Sequence, residues 1–351
     1  MPSTAGGEAG PYGAGDPLDP LTDALLPDAR QVVAYVRAAY LSIGFTRRTD
    51  VPFIDIPSSP LVPGARPVSI HYRDVGNGSP IVVLHGGWGY EAYPFDRQMA
   101  ALSAAHRVVI PDRSGYGCSP AIGRLPPDFH HRAADETQSL IDALGLVRPI
   151  LWGHSDGAII ALLIGLGSQG IAGVIVEAAH LYKRKPSSRS FFEAIVADPA
   201  SIGERAAAAL ARDHGERWRR ILDLHSRAWL RIGDEATSPD EDFYQGRLAE
   251  LDVPALVVHG ARDPRTEPGE LEALQAALSA GILESPAGAV ERRFHILAEG
   301  GHSPHSERAT AEAVTAAALA FVQRISGTRA ADPADPAHLA DPAHPDPSHR
   351  P

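Results

Sequence analysis

Ser155 stands in Gly153-His154-Ser155-Asp156-Gly157, with the apolar run PILW before it and GAIIALLIGL after it. A serine hydroxyl is a weak nucleophile at neutral pH, and chemistry at it requires a base and a group that orients the base. His302, in AEGGHSPH, is the candidate base; His305 lies nearer the following helix and ranks second. Asp263, in LVVHGARDP, is the candidate acid, and Glu177, in VIVEAAH, is its rival. Asp263 is preferred because a turn after a buried strand suits a projecting carboxylate that would fix the imidazole tautomer and stabilise its charged form. A tetrahedral intermediate also needs backbone donors at its oxyanion. The N–H of Asp156 is one candidate, and LHGGWGY offers Gly87 first and Trp88 second.

These residues need elements to bring them together. Short β-branched runs, VSIHYRD, PIVVLHG, RVVIPD, PILWGHS, GVIVEAA, PALVVHG and RRFHILAEG, alternate with longer segments of helical character. The almost wholly apolar middle runs read as strands covered on both faces, and the alternation predicts a mostly parallel sheet flanked by helices. Strand, turn and helix around Ser155 are the setting of a nucleophile elbow, where a sharp turn exposes the hydroxyl near a helix N-terminus. Gly153 and Gly157 fit that reading, since flanking glycines let backbones approach without a Cβ clash. From about 180 to 251 no convincing strand occurs, only helical, aromatic-bearing sequence. An insertion of that kind predicts a helical cap over the carboxyl edge of the sheet, where open α/β sheets bind ligands. Cap side chains His180, Tyr182, Phe191, Phe192, Trp218 and Trp229, with Trp88 and Tyr90, are candidates for the substrate pocket.

The segments VLHGGWG, PDRSGYGCS, GHSDGA, VVHGARDP and GGHSPH, in that order, resemble those of the α/β-hydrolase superfamily. The resemblance extends from about residue 68 to 325 and is similar to the esterase, biphenyl-hydrolase-like and C–C hydrolase branches. It implies an eight-stranded, mostly parallel sheet, with Ser155 as nucleophile, Asp263 as acid and His302 as base. It also implies that Asp112 and Arg113 hold a loop rather than perform chemistry. Haloalkane dehalogenases and epoxide hydrolases of this fold carry aspartate where Ser155 stands, so an acyl-enzyme from a small carboxylic ester is favoured. C–C hydrolase, thioesterase, lyase and perhydrolase reactions use similar sites, and a ligand-binding sensor of the same fold is the alternative of another class. No metal or organic cofactor is required.

Composition bounds the rest. The chain has 351 residues and a formal net charge of −11. Residues 1–28 hold five acids and no Lys or Arg, and residues 330–351 four acids and one Arg, so the ends carry −8. The near-neutral body argues against nucleic-acid binding and gives no reason to expect a highly charged substrate. Lys183, Arg184 and Lys185 read as a solvated turn. One cysteine, Cys118, no apolar run long enough for a bilayer, and no signal-peptide pattern at the start lead us to expect a cytoplasmic protein without membrane contact. Residues 1–28 and 330–351 are expected to be disordered, 29–67 to form an N-terminal helix and extension, and 68–329 the catalytic domain. The expected partner is a small acyl substrate, and the oligomeric state is left open.

Overall fold

The computed structural model describes residues 52–167, 170–280 and 290–329. The expected N-terminal helix and both expected disordered tails lie outside these residues.

Eight strands form one sheet: β1 (Phe53–Ile56), β2 (Val68–Val75), β3 (Ser79–Leu84), β4 (His106–Pro111), β5 (Ile150–His154), β6 (Gly173–Glu177), β7 (Ala255–Gly260) and β8 (Arg292–Leu297). Their spatial order is β1-β2-β4-β3-β5-β6-β7-β8. The β1–β2 and β2–β4 pairs are antiparallel; every later pair is parallel. Strands β5, β6 and β7 are buried at every position, which is why they read as unbroken apolar runs rather than alternating ones. Strand β1 lies inside the stretch set apart as an extension. It is four residues long, and Phe53 is 53% exposed, so it has the weak signature of a short edge strand.

Alternation along each strand splits the core into two. Val82, Leu84, Leu151, Val174 and Val257 face one side, with helices α2 (Phe129–Ala143) and α3 (Asp156–Gly167). Ile81, Val83, Ile150, Trp152 and Ile175 face the other, against Phe95, Met99 of α1 (Asp96–Leu102) and Phe321 of the C-terminal helix Ala311–Arg329. Helix α3 is apolar almost all round, and Ile159, Ile160 and Leu162 are wholly buried. At about 2 kcal/mol for each such side chain, packing rather than helix propensity holds it behind the serine.

Between β6 and β7 the chain forms a helical cap: α4 (Pro186–Ala197), α5 (Glu204–His214) and α6 (Trp218–Glu235). Phe192 of α4 stacks on Trp229 of α6 at 5.9 Å and 7°, so these two helices pack as a unit. Beyond β7 follow α7 (Glu270–Ala280), β8 and α8 (Ala311–Arg329).

Candidate active site

Strand β5 ends at His154 and α3 begins at Asp156, so Ser155 alone makes the turn. It does so in left-handed backbone, φ +53°, which for a non-glycine residue costs about 1–2 kcal/mol. Its N–H donates to the Glu177 carbonyl at 2.9 Å. The two glycines are steric requirements. A Cβ on Gly153 would lie 2.0 Å from the Gly157 carbonyl oxygen, and one on Gly157 would lie 2.0 Å from that of Leu84.

The loops after β7 and β8 bring Asp263 and His302 to this turn. His302 Nε2 is 3.1 Å from Ser155 Oγ, and its Nδ1 is 2.9 and 3.0 Å from the two Asp263 oxygens. A ring nitrogen facing a carboxylate must carry the proton, so Nε2 keeps the lone pair that accepts from the serine hydroxyl. Asp263 also accepts the Arg265 N–H at 2.9 Å. Burial pushes the Asp263 carboxyl up, but the pull of His302 outweighs it and holds the group below the usual carboxylate range. His180 lies nearly parallel to His302, with ring centroids 5.7 Å apart. Burial, reinforced by Lys185, pushes His180 well below the usual imidazole range, so a neutral ring faces His302.

The rival carboxylate is committed elsewhere. Glu177 is fully buried and accepts from the backbone N–H of His305 at 2.9 Å and from its Nδ1 at 2.8 Å. His305 Nε2 donates to the Tyr93 carbonyl at 3.0 Å, and its ring stacks on Phe95 at 3.8 Å. His154 Nε2 donates to the His302 carbonyl at 3.0 Å. Glu177, His305 and His154 therefore anchor the loop that carries His302. Their ligand-type atoms lie within 4.8 Å of one another, but both ring nitrogens of His305 are already engaged, with Glu177 and the Tyr93 carbonyl.

The loop after β3 is held from below. Arg113 donates to the carbonyls of His85 and, at 3.1 Å, of Gly86, and Asp112 takes His71 at 2.7 Å and Arg73 at 2.9 Å. Gly87 and Trp88 line the same cavity as Ser155. A Cβ on Gly87 would fall 1.9 Å from His225 Nε2, so only glycine fits there.

Asp156 does more than offer a backbone N–H. Its carboxylate is fully buried and accepts three hydrogen bonds: from His130 of α2 at 3.0 Å, from His225 of α6 at 2.8 Å and from Trp229 of α6 at 3.1 Å. Burial alone would raise its pKa, yet His225 and His130 hold it well below the usual range. The residue after the serine is thus the joint between cap and core.

Of the expected pocket residues, His180 and Trp229 line the cavity at Ser155, as does Phe192. Tyr90 does not. It is 2% exposed, belongs to the core on the α1 side of the sheet and donates to Asp96 at 2.5 Å. Tyr93, three residues further along the same loop, takes the place expected for it and meets the His302 ring edge-on at 6.4 Å. Tyr182 does not line the cavity either; its backbone is fixed by Glu270 at 3.0 Å and by a bridge to Asp242. Phe191 and Trp218 pack with Trp88 in a cap cluster. Lys185 is not in a solvated turn: it is 7% exposed and ion-paired with Glu270, because α4 folds its N-terminus inward. Lys185, Ser188, His225 and Arg265 also line the cavity. Nothing in their local sequence marks them, since tertiary folding of the cap and the β7 loop puts them there.

The space at Ser155 is small, about 30 Å³, roughly the room of two waters at ~10–15 Å³ each. A second cavity of about 300 Å³ shares Lys185, Phe192 and Trp229 as walls and opens between α4 and α6.

Residues 81–317 match the family model described as alpha/beta hydrolase family. The mouse protein named serine hydrolase BPHL is 27% identical over 243 residues, 68% of this chain and 78% of that protein. A thermophilic esterase from Thermogutta terrifontis has a similar structure, with a TM-score of 0.57 and 22% identity over 78% of this chain and 99% of that one. An esterase from Exiguobacterium antarcticum gives a TM-score of 0.55 at 20% identity, again over 78% and 99%. Among the described residues no helix is long and apolar enough to cross a membrane.

Proposed function

The chain belongs to the alpha/beta hydrolase family, and from that premise we propose that it is a serine hydrolase cleaving a small carboxylic ester through an acyl-enzyme. The observation that carries this reading is the continuous chain from Ser155 Oγ through His302 to Asp263, with contacts of 3.1 and 2.9 Å. His302 takes the hydroxyl proton as Ser155 attacks the carbonyl. The N–H groups of Asp156 and of Gly87 or Trp88 receive the oxyanion, a contribution worth about 3–4 kcal/mol per donor in comparable sites. His302 then protonates the leaving alkoxide, and water repeats the sequence to release the acid. The small space at Ser155 supports a small acyl group. The esterase and serine hydrolase names of the similar proteins support the ester reading. A single cysteine supports a reducing, cytoplasmic setting.

The test is turnover of p-nitrophenyl acyl esters of increasing chain length, run beside labelling by a fluorophosphonate probe. Ser155→Ala is expected to lose labelling and to lower kcat on the order of 10⁴–10⁶-fold. Undiminished turnover in that variant overturns the proposal.

A further inference from the structure

Arg265 lies two residues beyond Asp263 and lines the cavity at Ser155. Its guanidinium sits 3.9 Å from the ring centroid of Phe191 and within 5.9 Å of those of Trp88 and Phe192. Stacking of this kind engages the face of the guanidinium and leaves its N–H donors pointing outward in the plane. Among the described residues, no side-chain or backbone oxygen accepts a hydrogen bond from that guanidinium; the bond it makes to Asp263 comes from its backbone N–H. Asp263 and Asp156 attract the Arg265 charge through space, but the charged groups around it direct their hydrogen bonds elsewhere. Lys185 is paired with Glu270, Asp263 holds His302, and Asp156 holds His130, His225 and Trp229.

A second polar group in the same cavity is also unspent. Ser188 of α4 is 4% exposed, and among the described residues its Oγ has no hydrogen-bond partner. A buried hydroxyl without a partner is uncommon in a folded protein. A planar fork of N–H donors together with a hydroxyl matches one ligand chemistry closely, since guanidinium and carboxylate pair edge to edge.

We propose that Arg265 and Ser188 form a carboxylate-binding subsite, so that the substrate is an ester bearing a free carboxylate. The inference rests on Ser155 being the nucleophile only in so far as it names an ester; the anion subsite stands on its own geometry. It also refines the expectation drawn from the near-neutral body, because a guanidinium whose N–H donors have no acceptor of their own offers a carboxylate a place to bind whatever the net charge.

The experiment separates the two claims. On Ser155→Ala protein, which cannot turn substrate over by the proposed route, calorimetry measures binding of monomethyl glutarate and of neutral dimethyl glutarate, with the succinate and adipate pairs beside them to cover reach. At least tenfold tighter binding of one half-ester over its diester is expected. Arg265→Gln should erase that preference, Arg265→Lys should keep part of it, and Ser188→Ala should reduce it several-fold. Ser188→Ala and Arg265→Lys keep the test decisive should Arg265→Gln fail to fold. Equal binding of half-ester and diester in all three pairs, or a preference that survives these substitutions, overturns the subsite. Absence of fluorophosphonate labelling in the wild-type chain would instead remove the ester and leave the binding result to judge the anion site.

Discussion

His154, beside the serine, is fully buried, and burial, helped by the nearby His305 and His302, lowers its pKa to about 3. In the unfolded chain an imidazole titrates near 6.5. Between these values the unfolded state binds a proton that the native state refuses, so stability rises with pH through this window and is lost on acidification. Relative to pH 8, the His154 contribution at pH 5 is a loss of about 2 kcal/mol, growing to about 4 kcal/mol near pH 3. His154→Gln removes the titration while its amide can still donate to the His302 carbonyl. The substitution will change stability at every pH through packing, so the informative quantity is the difference between pH 8 and pH 5. Urea unfolding followed by tryptophan fluorescence gives it for each protein. The other buried histidines, His85, His130 and His180, act alike in both. The loss from pH 8 to 5 is expected to be about 2 kcal/mol smaller in His154→Gln than in the wild type. Equal losses would refute the assignment of a neutral, acid-resisting His154. The point matters for catalysis because the His154 and His302 rings are 5.3 Å apart. In the proposed mechanism, a proton on His154 would oppose the one His302 takes from Ser155.

Two further outcomes are expected. Asp156→Asn cannot accept three donors as the carboxylate does, and breaking such a buried pair costs about 3 kcal/mol or more; amide exchange along α6 should quicken, and unchanged exchange there would argue against its role as the cap joint. Gly157→Ala places a methyl 2.0 Å from the Leu84 carbonyl oxygen, so a soluble variant should show at least a 1–3 kcal/mol loss of stability on the scale of overpacked sites, together with impaired turnover; wild-type stability in a denaturant titration would contradict the steric account.

Strands buried on both faces were legible because nothing but apolar residues fits there, and β5 to β7 announce themselves that way. β1 was not, since a four-residue edge strand with half its positions exposed has no such constraint. Ser155, Asp263 and His302 could be singled out because each follows a recognisable strand, and the structure brings these three together. Tyr90 and Tyr93 differ by three positions on one loop, and sequence carries no information on which of them turns toward the cavity. The side chain of Asp156 was overlooked for a related reason. A turn motif specifies backbone, whereas the three donors that reach the carboxylate come from residues 26, 69 and 73 positions away. Arg265 and Ser188 meet only when α4 folds over the β7 loop.

The seating of the cap on Asp156 limits how freely this molecule can be recombined. Caps of this kind invite exchange as modules, because both ends of the 180–251 insertion join the same edge of the sheet. Here a transplanted cap lacking the equivalents of His225 and Trp229 would bury an under-coordinated carboxylate immediately after Ser155. The resulting strain would fall on the turn itself, so a chimera could keep every residue of the reaction and still misplace its hydroxyl. A functional graft must therefore carry two specific donors on its third helix, or replace Asp156 at the same time.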